Sequence, residues 1–262
     1  MFSNEERCSY HSHQLGEVIC QLRFPEILKI NAQAPVDFQE AVRHQFPRYA
    51  ANAETVAPKV IQTPQGLKLQ TPPTINNHTF VSDDGAWRIN LTSGFISLSC
   101  SRYTGWENFA RQLDLPLAAF IKTYQPAFFQ RIGLRYMNFI SRTELGLNDV
   151  PFSELISPAY LGILGDDTIA ETEAIKSSVD AEFRISGGHM AKIHAGPGIV
   201  TRNGQTDKEV KFIFDQDLYS SAETPVFQAA GVLEALHRCA YPIFRNAITG
   251  KLHNSLEPEY FD

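Results

Sequence analysis

Four cysteines in 262 residues, none of them in a C-x-x-C pair, leave neither a disulfide framework nor a thiolate metal knuckle to read. Cys20 and Cys100 fall in step with apolar strand neighbours. All four, with Cys8 and Cys239, are expected to be reduced structural thiols. No apolar run approaches the roughly 20 residues that span a bilayer, so no membrane partner is expected. Residues 1–7 carry acids where a secretory leader needs basic and apolar residues; the expected address is the cytoplasm. Positive charge is in deficit, with 23 Lys+Arg against 29 Asp+Glu, a net charge of -6 and a pI near 5.8. That balance disfavours a nucleic-acid binder driven by phosphate neutralisation, although a local basic patch stays open. Gly187-Gly188-His189 and Gly196-Pro197-Gly198 open no helix and so make turns rather than phosphate cradles. His11-Ser12-His13 lacks a third ligand, and no histidine pairs with a nucleophile. No catalytic residue, metal site or cofactor is therefore assigned.

What the chain does have is an ordinary globular balance, 43% apolar and 20% charged, with 18 phenylalanines for a core. Glu17 to Phe24 alternates as a strand, with Val18, Cys20, Leu22 and Phe24 facing inward. Phe38, Val42 and Phe46 repeat at helical spacing. Trp87 to Thr92 and Ile96 to Ser101 form a meander with one apolar and one polar face. Thr104 is the expected cap of a helix that Pro116 breaks and restarts. Arg131 to Ile140 is the next strand, and a short helix follows near Phe152 to Tyr160. Val179 to Ser186 turns at Gly187-Gly188 into Met190 to Ala195; residues 196–208 read as a loop before a strand at Val210 to Asp215. Thr224-Pro225 starts a last helix expected to bury Phe227, Ala230, Leu233, Leu236, Ala240 and Phe244 and to kink at Pro242. On that helix His237 reads as a flank residue.

Gln21-Leu22-Arg23-Phe24 is echoed by Gly133-Leu134-Arg135-Tyr136, each inside a strand that precedes a helix. Both halves run strand, helix, antiparallel strands, long helix. The expected fold is α+β: a duplicated unit of curved antiparallel sheet backed by helices, resembling a TATA-box-binding-protein saddle or a helix grip. The boundaries drawn are a flexible tail at 1–14, a first half at 15–128 and a second at 129–262, with one continuous domain as the alternative.

The polar strand face supplies the candidate ligand or partner contacts: Arg23, Arg88, Arg131, Arg135, Arg184, Lys192 and His194. Arginine suits planar, bidentate recognition of carboxylate or phosphate. Arg131, Gly133 and Arg135 share one side of their strand, and Gly133 leaves room for a close approach. The competing expectation is a solvated face whose arginines pair internally, with Glu17 or Asp180 as partners.

Leu15-Gly-Glu-Val-Ile-Cys-Gln-Leu-Arg-Phe-Pro25, the Trp87 strand, Arg131-Ile-Gly-Leu-Arg-Tyr-Met-Asn138 and the ending around Leu236-His237, Ile243-Phe244 and Ile248-Thr249 resemble a group of uncharacterised, sporadically distributed prokaryotic proteins of about this length. The resemblance implies a bacterial or archaeal protein and transfers no activity. The leading expectation is a non-catalytic binding protein using the polar face or a cleft between halves, its partner a protein or a small anion. An enzyme acting on a small anionic or nucleotide-like substrate is the alternative, then a nucleic-acid binder. A homodimer through a sheet edge or an apolar helix face stays open.

Overall fold

Alternation of apolar and polar residues sends every second side chain of a strand inward, so a sheet built from such strands has a dry face and a wet one. The computed structural model describes residues 6–54, 59–63, 66–70, 75–166, 168–202 and 204–260. In chain order these form β1 (Cys8–Tyr10), β2 (Leu15–Arg23), α1 (Leu28–Ala32), α2 (Val36–Val42), β3 (Arg48–Glu54), β4 (Lys59–Thr63), β5 (Gly66–Gln70), β6 (Ile75–Val81), β7 (Trp87–Leu91), β8 (Phe95–Cys100) and α3 (Trp106–Tyr124). The second half adds β9 (Arg131–Ile140), α4 (Phe152–Leu155), β10 (Val179–Arg184), β11 (Met190–Arg202), β12 (Gln205–Ser220), α5 (Ala229–Ala247), α6 (Gly250–Ser255) and β13 (Pro258–Tyr260). The class is α+β, and no helix among the described residues is long and apolar enough to cross a membrane.

Nine strands make one antiparallel sheet in the order β10-β11-β12-β9-β2-β8-β7-β6-β3. The two first-in-half strands, β2 and β9, pair at its centre, and each is flanked by the last strand of its own meander. Gln21 lies directly opposite Gly133, so the echoed segments meet face to face. The halves are therefore joined by a strand ladder, and no cleft separates β2 from β9.

Val18, Cys20, Leu22, Leu98, Cys100, Leu134 and Tyr136 are buried on one face beneath α3 and α5. Phenylalanines fill the layer: Phe24 against Phe120, Phe38 against Phe80, Phe152 against Phe212. Each such ring removes apolar surface worth about 1.5–3 kcal/mol from water. Burial pushes the Cys20 thiol up to about 12, as fits a packing residue rather than a reactive thiol.

Several local expectations are corrected. Residues 8–10 are not loose: β1 pairs with β13, a partner near the other end of the chain that no local pattern reveals. Pro116 sits inside an unbroken α3, buried among Phe109, Leu113 and Phe120, whose packing offsets the lost backbone bond. Gly105, not Thr104, precedes the helix; the Thr104 hydroxyl accepts from Asn108 instead. Residues 196–208 are mostly strand, because β11 and β12 run past their neighbours as a two-stranded arm. The α5 helix begins at Ala229, continues through Pro242, and leaves Phe227 and Ala230 exposed.

Candidate binding face

Strand parity and register together place all seven predicted residues on the sheet face opposite the helices. Across it, Arg88, Ser99, Ile19, Arg135, Asp217, Lys192 and Glu182 occupy consecutive strands in one row. Asn90, Ser97, Gln21, Gly133, Tyr219, Met190 and Arg184 form the adjacent row. Arg23 lies opposite Arg131, and His194 opposite both Asp215 and Asp180.

The two halves of this face differ in how their charges are used. On the second half, the Arg131 guanidinium donates to both Asp217 oxygens at 2.8 and 2.7 Å and lies 4.4 Å above the Tyr219 ring. The Arg135 Nε donates to Asp215 at 2.7 Å and its Nη2 to the second oxygen, a bidentate fork. That bond, with the neighbouring carboxylates, raises the Arg135 pKa. The Tyr219 hydroxyl donates to Glu182, which pushes the phenol up, and His194 pairs with Asp180 at 2.9 Å. Arg131 and Arg135 therefore do pair internally, but with Asp217 and Asp215 of β12 rather than Glu17 or Asp180. Gly133 is corrected in the same way: a Cβ there would collide with the Arg131 guanidinium, so its bareness lets Arg131 reach Asp217.

On the first half the floor is small and uncharged, with Thr79, Asn90, Ser97, Ser99 and Gln21. Arg23 and Arg88 are exposed there, and among the described residues neither makes an ion pair. Arg184 and Lys192, on the other flank, are exposed in the same way. The seven predicted residues share a face but do not converge. Arg88 to Arg135 and Arg135 to Arg184 each cross three strand spacings, about 14 Å at ~4.8 Å per strand.

At one end of the face the arm adds a groove of about 600 Å³, lined by Gln14, Leu15, Phe139, Asp207, Lys208 and Lys211 among others. Lys211 bridges Asp207 at 2.9 Å and Glu144 at 3.3 Å. The arm is pinned by Glu209, which accepts from the Ser141 hydroxyl at 2.6 Å and the Thr143 amide at 3.0 Å. Sequence reading missed this groove, since it depends on the arm being strand.

A second polar cluster lies on the helix side. His237 is 7% exposed, not a flank residue. Arg7 can only donate, so it holds the His237 Nε2 as acceptor, and Nδ1 carries the ring proton to the Tyr136 hydroxyl at 2.7 Å. Trp106 stacks on the ring at 4.5 Å and donates to Glu234 at 2.7 Å. Burial, then the Arg7 charge, lowers the His237 pKa to about 4. Its spacing from Leu233 and Leu236 places it on the buried stripe, a signal that was available in the sequence.

Among the described residues no group of three or more His, Cys, Asp or Glu side chains could hold a metal ion. No family model matches the chain, and no curated protein is significantly similar to it.

Proposed function

We propose that the chain is a non-catalytic binding protein that offers its helix-free sheet face to an extended macromolecular partner. The observation that supports this most is the distribution of cations that make no ion pair among the described residues. Arg23, Arg88, Arg184 and Lys192 spread over a broad face instead of gathering in a pocket. A small anion is best held by converging donors, whereas a protein surface carrying carboxylates can meet them one at a time. An enzyme for a small anionic substrate would need Arg88, Arg135 and Arg184 together, which the strand order disfavours. Nucleic acid is disfavoured too, because Asp215, Asp217, Asp180 and Glu182 interrupt any positive stripe.

The mirrored strand order and the Gln21–Gly133 pair support an ancient duplication with a pseudo-twofold between β2 and β9. That arrangement is the one a saddle of the TATA-box-binding-protein type would have. Membership of the prokaryotic group rests on the quoted segments alone. Native mass spectrometry of the protein purified from its own host tests the binding reading. A bound macromolecule lost in R23A/R88A, with the fold intact by circular dichroism, supports it; a macromolecule retained by that variant contradicts it.

A further inference from the structure

The nine-stranded sheet ends on one side at β10, and the backbone groups of that edge are set by its pairing with β11. The Ile185 amide donates to the His189 carbonyl at 2.8 Å, in register with the Arg184–Met190 pair. Hydrogen-bonded pairs alternate along an antiparallel ladder, so residues 183 and 181 also point their amides and carbonyls at β11. Those of Asp180, Glu182 and Arg184 then point outward from the edge, where no further strand joins the sheet among the described residues.

An edge of this kind is a template for another strand, and its charges decide which one. For two copies pairing antiparallel, the outward groups allow registers centred on residue 181, 182 or 183. Centring on 181 sets Asp180 against Glu182 twice, and centring on 182 sets Glu182 against Glu182 between two Asp180–Arg184 pairs, so one like-charge contact sits at its middle. Centring on 183 sets Glu182 of each copy against Arg184 of the other, two complementary pairs with no like-charge contact. In that register Phe183 meets its own copy on the helix side, with exposed Ala181 and half-buried Ile185 beside it. We infer that the chain forms a twofold dimer through β10 in the register centred on Phe183, with a second copy of itself as the occupant. The two nine-stranded sheets become one continuous sheet, both open faces on the same side.

Light scattering coupled to size exclusion on the full chain should give the mass of two chains. R184E should weaken the dimer about tenfold or more, because each half then sets two carboxylates together. E182R/R184E should restore it, and Y219F, which removes the bond to Glu182 alone, should leave it unchanged. Under mild oxidation F183C should form a linked dimer, since the central non-hydrogen-bonded pair lies about 4.5 Å apart at Cα. E182C, offset from its copy by two positions, should not. A monomer at every soluble concentration, a dimer indifferent to R184E, or cross-linking of E182C in place of F183C would overturn the inference.

Discussion

Single residues on the open face do unequal work, and the inequality follows from their partners. Asp215 is only 11% exposed in its side chain and Arg135 supplies its two bonds, so Arg135→Met should cost about 1–3 kcal/mol by leaving a buried carboxylate unanswered. Arg23→Ala, at an exposed strand end, should stay within about 0.5 kcal/mol when both variants are titrated with urea. Gly133→Ala should push the flexible Arg131 guanidinium off Asp217. A double-mutant cycle should then find coupling between Arg131 and Asp217 in the parent and none beside Ala. His237 ties stability to pH. Its folded pKa, about 4, lies below the unfolded value of about 6.5, so the unfolded chain takes up the proton first. Stability is intact above pH 6.5 and declines as pH falls toward 4, by at most roughly 3 kcal/mol. His237→Gln should flatten that part of the curve; an unchanged slope would assign it to other groups.

At the scale of elements, the strands with clean alternation were the legible ones. Arg131–Ile140 shows the period in its own residues, and Val179–Arg184 does so as well. The arm was not legible, because Gly196, Pro197 and Gly198 carry turn chemistry and pairing with Lys211 to Ile213 holds them extended. Nor were the aspartate partners: Asp215 and Asp217 become neighbours of Arg135 and Arg131 only once β12 is known to lie beside β9. Local sequence states which way a side chain points, and strand order states what it meets. Glu209 is the arm's anchor, so Glu209→Ala should speed amide exchange over residues 199–210 while residues 212–219, paired on both sides, stay protected. Equal loss of protection in both segments would show that the arm and the sheet open as one unit.

For the whole molecule, one division organises everything else: helices and the buried apolar side chains on one side of the sheet, and on the other a helix-free, mainly polar side where Arg23, Arg88, Arg184 and Lys192 are exposed while Ser97, Ser99 and Asp215 are buried. Cys20 and Cys100 sit on the covered side of β2 and β8, while Gln21 and Arg88 sit on the open side of β2 and β7. A thiol reagent can read that division directly. In a Cys239→Ser background, Gln21→Cys and Arg88→Cys should label at the rate of an exposed thiol in the native protein. Cys20 and Cys100 should label only on unfolding. Slow labelling at positions 21 and 88, or fast labelling of Cys20 and Cys100 in the native state, would contradict the two-faced sheet and with it the binding face.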